Sequence, residues 1–406
     1  MAEEDVVPLE IFPGQDFYVP AFRLMVQGEN EFVPNNDILS VTYQDSLTEI
    51  ASFDITVNNW DAERLTFKYS DGDTFDPWKD VELHMGYYRN GQAELRRMLV
   101  GEITTMTPTF PQAGGPTLTV RALSLFHRFR TKQITKPFVN QTDTEIAKLL
   151  VDMIAQEINK NAATARKDAP KLKVQIDPKD VENNKETEKP PNPYLLVNNQ
   201  YPILFLMERA RRIGYELTLD PLPRGADRTV TFHFHKTSAV KRPTYILEWG
   251  KSLISLQPNL QMTNQVSEVT IRGWDPKGKT KFEEKATRAD LAAEKIVNPS
   301  DLGVNDSGLA QKLEITVDYP IHSKAEAKDL AKNKLRQIAE VMVEAKGKTV
   351  GLPDLRAGVK VQIRGLGKRF SQPDGKPPFS YLVTATTHSI GDGGYTTDFT
   401  ARMEKS

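Results

Sequence analysis

Apolar and polar residues alternate through the first third of the chain. Phe53, Ile55 and Val57 are separated by Asp54 and Thr56; Val81, Leu83 and Met85 by Glu82 and His84; Leu118 and Val120 by Thr119, with Arg121 following. A period of two gives one buried and one wet face, the signature of antiparallel sheets and barrels. Gly, Pro, Asn and Asp punctuate these runs as turns. The period then changes. Thr142 and Glu145 form a capping-box pair, and Ile146, Leu149, Leu150, Met153 and Ile154 follow at helical spacing. A second helix is predicted from about Tyr201 to Ile213, stopping at Gly214, with strands over 217–219 and 229–235. Between the helices, 159–199 is rich in Lys, Glu, Asn and Pro and reads as a polar loop. In the last third Ser323 and Glu326 form another capping pair, and Ala327, Leu330, Ala331, Ile338 and Met342 make a helical stripe. Gly347 is expected to end that helix. Val359, Val361 and Ile363 then alternate with Lys360, Gln362 and Arg364.

The alternating segments repeat in the same order. Ile55-Thr-Val-Asn-Asn-Trp60-Asp61 matches Val269-Thr-Ile-Arg-Gly-Trp274-Asp275, and Val81–Gly86 matches Val359–Arg364. Leu99–Thr105 resembles Tyr381–Thr387, and Leu118–Arg121 sits where Phe399–Arg402 does. Any two strands share such a pattern, but the collinear order points to an internal duplication. The second copy is expected to carry the helix 323–346 between its first two matched strands. The expected fold is therefore mainly β with α+β inserts: two similar antiparallel β-barrel domains and a helix-containing middle domain. Boundaries are placed at 1–16 for an N-terminal arm, 17–130 for the first barrel, 131–245 for the middle domain and 246–406 for the second barrel.

Composition narrows the chemistry. The chain has 406 residues, enough for two to four cores, with 39% hydrophobic and 26% charged residues. The 53 basic and 54 acidic residues leave a net charge of -1, without the basic excess of a nucleic-acid binder. The absence of cysteine excludes disulfides, thiolate metal sites and cysteine nucleophiles. The first residues are acidic where a secretory signal would be basic, and the longest apolar run, Tyr201–Met207, is too short to span a bilayer. His233 and His235 share one face of a predicted strand, but no carboxylate stands near them in sequence, so they read as a pair on a partly exposed strand. Glu283 and Glu284 lie in a charge-rich, solvated stretch. Gly365-x-Gly367 precedes Lys-Arg-Phe rather than a helix start and is turn geometry, not a dinucleotide fingerprint. We expect no catalytic residue, metal site or cofactor.

The C-terminal stretch carries a specific motif: Arg356, Gly358, Gly365 and Gly367, then His388, Tyr395, Thr397 and Phe399, preceded by the turn Gly273-Trp274-Asp275. These residues resemble the phage late control protein D family, which includes baseplate hubs of contractile tails and the hub half of the type VI secretion spike. The resemblance runs from about Phe17 to Arg402. It implies a structural, non-enzymatic hub: a homotrimer that adapts a hexameric tail tube to a trimeric spike and contacts other baseplate components. The chain stops four residues after Arg402, without the family's valine-glycine repeats, which implies a spike carried by a separate protein. The resemblance further implies assembly in the bacterial cytoplasm as part of a phage-tail-like particle. The alternatives are a hub-like cell-wall-degrading enzyme and the hub of a true contractile bacteriophage. Trp78 and Tyr88 are candidate interface anchors, and His388 reads as a structural residue bonded at a strand end.

Overall fold

A computed structural model describes residues 9–10, 17, 19–26, 35–165, 173–188, 192–219, 229–236, 244–275, 278–292, 294–305, 313–316, 321 and 323–405. The alternating segments form the strands that their period predicts. Ser52–Asn58 buries Phe53, Ile55 and Val57; Asp80–Arg89 buries Val81, Leu83 and Met85; Thr117–Ser124 buries Leu118 and Val120. With Pro20–Val26, Ile38–Ser46 and Gln92–Thr109 they make a six-stranded antiparallel ladder, in the order 20–26, 80–89, 92–109, 117–124, 52–58, 38–46. The strand 92–109 pairs with 80–89 along its first part and with 117–124 along its second. That exchange of partners curls the ladder around Tyr43, Phe53, Phe75, Leu83, Met85 and Ile103. Among the described residues no ladder joins the first and last strands, so the unit is a half-barrel.

A second ladder repeats the plan. Thr244–Glu248, Leu253–Leu260, Val343–Val350, Lys360–Arg364, Ser380–Gly391 and Gly394–Glu404 pair in the order 244–248, 360–364, 380–391, 394–404, 343–350, 253–260. In both ladders, counted in chain order, the first strand pairs with the fourth, the second with the third, the third with the sixth, and the fifth with both fourth and sixth. Only one sense differs: the first and fourth strands are antiparallel in the first ladder and parallel in the second. A bulge is shared too. Thr104 is skipped in the pairing of 92–109 with 117–124, and Thr384 in the pairing of 380–391 with 394–404. Each hydroxyl donates to a carbonyl of the opposite strand, Thr104 to Arg121 at 3.3 Å and Thr384 to Thr400 at 3.1 Å. A bulge bends its strand and raises local twist, so both ladders turn at the same place.

The pairing also corrects the sequence matches. Thr104 corresponds to Thr384, two residues from the expected Thr386; an even slip leaves the same face inward, so alternation could not detect it. The partner of the 55–61 segment is not 269–275 but the strand 343–350, the third of its ladder. The expected helix 323–346 stops at Glu340, and Gly347 lies inside a strand. Over 343–350 the buried positions are Val343, Ala345, Gly347 and Thr349, a period of two that overrides the helical stripe before it. Gly347 is there for packing. A Cβ on it would lie 2.3 Å from the Phe399 ring and 2.8 Å from Leu256 Cδ1.

Between the ladders, α1 (Asp143–Ala165), α2 (Pro178–Thr187) and α3 (Pro202–Ile213) pack with a sheet of 173–176, 229–236 and 215–219 and a hairpin-like pair of 134–141 with 192–200. The capping box at Thr142 and Glu145 is formed in both directions, at 2.9 and 3.2 Å, and Gly214 closes α3 at φ +74°. The stretch 159–199 is not a loop where it is described: it completes α1 and supplies a strand, α2 and most of another strand. Its polar residues are spent on specific bonds. Asp177 caps α2 by accepting from Lys179 N at 2.8 Å, and Pro178 occupies the first turn, where a missing N–H costs nothing. Asp180 Oδ2 accepts from Phe234 N at 3.0 Å and Asn184 Nδ2 donates to Phe234 O at 2.7 Å, so α2 bonds the peptide where another strand would otherwise lie.

The second ladder carries its own insertion between strands 253–260 and 343–350. Glu268–Asp275 lies between Thr280–Thr287 and Leu313–Thr316, and α4 (Lys324–Glu340) covers this sheet with Ala327, Leu330, Ala331 and Leu335. Arg402 ties the insertion and the middle unit to the second ladder, reaching Glu340 at 2.9 Å and Glu216 at 3.2 Å. Within the N-terminal arm, Leu9–Glu10 pairs with Tyr245–Ile246; residues 11–16 lie outside the described part. Gly347→Ala is expected to destabilise the chain by ~1–3 kcal/mol through overpacking. In urea denaturation its cost should shrink in a Phe399→Leu background, and equal costs in both backgrounds would show that the ring is not what Gly347 makes room for.

Candidate functional site

The two half-barrels are one sheet. Ala385–Ile390 pairs antiparallel with Val41–Ser46, joining the two six-stranded ladders and the short strand Leu9–Glu10 into a sheet of thirteen strands. Polar side chains are buried along this seam. Asp45 and Arg356 form an ion pair, Nε to Oδ2 at 2.6 Å, with side chains 9% and 6% exposed. Asp45 also accepts from the Thr386 hydroxyl and from Ala357 N at 3.2 Å. Arg356 donates to the Tyr43 hydroxyl and holds its guanidinium 4.8 Å from the centre of that ring. Beside them, His388 Nε2 lies 2.9 Å from Leu355 O, while Nδ1 lies 2.9 Å from the Tyr395 hydroxyl and 3.1 Å from Thr397 Oγ1. A carbonyl only accepts, so Nε2 carries the proton and Nδ1 is the acceptor. Thr397 Oγ1 accepts from Leu352 N at 3.0 Å, and the Tyr87 hydroxyl donates to Gly351 O at 2.7 Å.

These bonds converge on one segment, 351–358, which crosses both half-barrels as a strap. Tyr43, Asp45 and Tyr87 hold it from the first; Thr386, His388, Tyr395 and Thr397 line it in the second. Gly351 lets it lie flat, since a Cβ there would sit 2.0 Å from the Tyr395 ring. Gly358 ends it at φ +94°, its N–H donating to Val383 O at 2.8 Å. The electrostatics suit a closed fastener. Burial pushes the Asp45 carboxyl up, but the Arg356 guanidinium and the Thr386 hydroxyl outweigh that and hold it below the usual carboxylate range. Burial pushes His388 down to about 4, against a smaller upward pull from Asp45. A cleft of about 380 Å³ opens beside the pair, between 45–51 and α3, lined by Asp45, Ile50, Phe126, Ile203, Met207 and Arg356.

Of the residues singled out in the sequence, Arg356, His388, Tyr395 and Thr397 meet at this strap. His388 is placed differently from expectation: it lies within the strand 380–391, fully buried, not at a turn. Phe399 packs across Gly347 in the second core. Gly365 and Gly367 take φ +88° and +77° after the strand 360–364, and Gly367–Phe370 forms a single helical turn where the sequence predicted no helix start. Trp274 is apart from the seam, 56% exposed on the inserted sheet, and the side chain of Asp275 lies outside the described part. Trp78 and Tyr88 stand at the surface, with the Arg128 guanidinium 5.4 Å from the Trp78 ring. Phe110, Trp249 and Ile254 are likewise exposed. Tyr43, Asp45, Tyr87 and Thr386 were missed; Asp45 contacts a residue 311 positions later, and no local pattern announces that.

A second cluster lies in the middle unit. His233 and His235 stand two residues apart on the strand Thr229–Lys236, with ring centres 5.6 Å apart. The sequence offered no neighbouring carboxylate; the fold brings one from α2. Asp180 Oδ2 is 3.3 Å from His233 Nδ1 and 3.5 Å from His235 Nδ1, and Asp177 Oδ2 is 3.4 Å from His233 Nδ1.

Two half-barrels on one sheet, with a helical unit between them, is the fold of phage tail proteins. The 43 kDa tail protein of prophage MuSo2 from Shewanella oneidensis is 13% identical, with a TM-score of 0.63 over 94% of this chain and 98% of that one. The tail protein from Neisseria meningitidis MC58 is also 13% identical, with a TM-score of 0.61 over 95% and 97%. The E. coli c3393 protein, a type VI secretion component described as structurally similar to the T4 tail proteins gp27 and gp5, gives 12% and 0.52 over 93% and 76%. By sequence, the chain belongs to the family described as the Alg8 N-terminal domain, whose model matches residues 18–180 and 206–392. No curated protein matches it.

Two outcomes follow from the seam. Arg356→Met leaves the Asp45 carboxylate buried without its cation and should cost ~3–5 kcal/mol in urea denaturation; adding Asp45→Asn should recover part of that, and no recovery would mean that the charge pair is not the source. The second concerns acid. His388 is neutral in the folded chain down to about pH 4, held among Asp45, Arg356, Tyr43, Tyr395 and Thr397, whereas unfolded it takes a proton near 6.5. Proton uptake by the unfolded chain therefore removes stability as pH falls from 6.5 to 4, by ~3 kcal/mol in all. Asp45, held low, loses its share as pH falls through the usual carboxylate range and below it. Denaturation at pH 7, 5.5 and 4 should show a smaller acid loss for His388→Gln than for the wild type; equal losses would remove His388 as the cause.

Proposed function

We propose that this chain is the baseplate hub of a contractile, phage-tail-like injection system, a trimeric adaptor between a hexameric tail tube and a trimeric spike. The observation that carries the reading is the duplicated pairing plan with its shared bulge at Thr104 and Thr384. Three such chains carry six similar half-barrels. They offer six near-equivalent positions to one partner and three true equivalents to another. The work is mechanical rather than chemical. The buried, mutually bonded strap passes load between half-barrels that must not shift against each other.

The duplication also supports a specific contact between chains. Within one chain the fifth strand of the second ladder meets the second strand of the first, 385–390 on 41–46. A ring of six equal units needs the reciprocal contact: the fifth strand of the first ladder, 105–109, against the second strand of the next chain's second ladder, 255–260. Among the described residues, 105–109 is paired only on its 117–124 side and 255–260 only with 343–350. Pro108 and Pro258 lie on these edges and carry no N–H, a device that keeps free edges from zipping into open fibres. Phe110 and Ile254, 60% and 55% exposed, stand at the ends of the two edges.

In this reading the relatives are the late control protein D hubs, and the partners are tube, spike and other baseplate proteins, assembled in the bacterial cytoplasm. Light scattering on the purified protein should give three times the 45.8 kDa chain mass. The double change Phe110→Asp with Ile254→Asp should give monomers with an unchanged circular dichroism spectrum. A wild-type chain that stays monomeric at tens of micromolar, even with its tube and spike proteins present, rules the adaptor out.

A further inference from the structure

We propose that His233, His235 and Asp180 form a binding site for one divalent transition-metal ion, with zinc the best match, and that the ion fastens α2 to the strand 229–236. This rests on the middle unit alone and stands whether or not the chain is a hub.

The ligand set is built by two elements. On a strand, residues two apart face the same way, which puts both imidazoles on one side of 229–236. The parallel neighbour 173–176 ends beside Phe232, and the chain turns into α2. Asp180 in the first turn of α2 accepts from the peptide N–H of Phe234, the residue between the two histidines. That bond fixes the carboxylate over the midpoint of the pair.

Both distances from the carboxylate to the imidazoles are those of a tetrahedral shell. Zinc bonds of about 2.0–2.2 Å to nitrogen and oxygen put ligand atoms roughly 3.3–3.5 Å apart. Asp180 Oδ2 is 3.3 Å from His233 Nδ1 and 3.5 Å from His235 Nδ1. Asp177 Oδ2 lies 3.4 Å from His233 Nδ1, beside this set, while Asp177 Oδ1 stays on the N-terminus of α2, so the fourth position falls to water. All three ligand atoms of Asp180, His233 and His235 fall within 4.8 Å of one another.

A second observation points the same way. His235 is 7% exposed, and neither of its ring nitrogens has a hydrogen-bond partner. Buried polar groups are normally satisfied, and an ion between His235 Nδ1 and Asp180 Oδ2 would satisfy this one. Two imidazoles and a carboxylate suit zinc over magnesium or calcium, which take all-oxygen shells. His233, about one-fifth exposed, opens the path by which an ion enters.

The test uses the full chain without a polyhistidine tag, stripped with EDTA and titrated with zinc chloride in a calorimeter. One zinc per chain is expected, with a dissociation constant of micromolar or tighter and a raised melting temperature. Asp180→Asn and His235→Gln should each weaken binding at least tenfold. His233→Ala, at the partly exposed position, serves if the buried variants do not fold, as judged by circular dichroism. Cobalt in place of zinc should give the intense visible absorption of a tetrahedral site. No binding at 100 micromolar zinc, or binding equal in the folded variants and wild type, overturns the proposal and leaves the cluster as a histidine–aspartate ionic contact.

Discussion

The Asp45–Arg356 pair is the interaction on which the arrangement of the two half-barrels depends. Taking two charges out of water costs several kcal/mol per ion, and their attraction offsets this only when geometry and further bonds are good. Here Thr386, Ala357 and Tyr43 supply those bonds. What the pair contributes above all is register. If 385–390 slipped by one residue against 41–46, Thr386 would leave Asp45 and His388 would turn from the core to solvent. An apolar seam would tolerate that slip far better than this one does.

The strap extends the same logic. A segment lying across two cores is held only if its backbone groups find partners, because a buried peptide without them is costly. Tyr87 and Thr397 provide them from opposite sides of the seam, and Gly351 gives the Tyr395 ring room to close over it. Load on one half-barrel is thereby passed to the other through buried, hydrogen-bonded side chains. The proposed ring of six half-barrels inherits that stiffness.

The insertions show how such a frame is elaborated. The inserted sheet and α4 leave the second ladder between its second and third strands and return without changing its pairing. Arg402, on the last strand, bonds both Glu340 of α4 and Glu216 of the middle unit, so the additions brace the frame instead of hanging from it. Past the end of 173–176, Asp180 and Asn184 bond the Phe234 peptide in place of a longer strand, and there two histidines meet a carboxylate.

What the sequence determined by itself was local and periodic. Alternation placed the strands at 52–58, 80–89, 117–124 and 360–364, and capping residues placed the starts of α1 and α4, because these depend on neighbours a few positions away. Arg356, His388, Tyr395 and Thr397 were legible as a motif, though not what they hold. The tertiary structure alone decided the partners. Asp45 looks like any surface acid until Arg356 arrives from the other end of the chain, and Gly347 looks like a helix stop until Phe399 lies over it. The polar stretch 159–199 looks unable to fold until Phe234 offers its peptide to Asp180 and Asn184. Period-two patterns cannot tell one strand from another or detect an even slip in register, so the duplication could be seen in the sequence but only the ladders could align it.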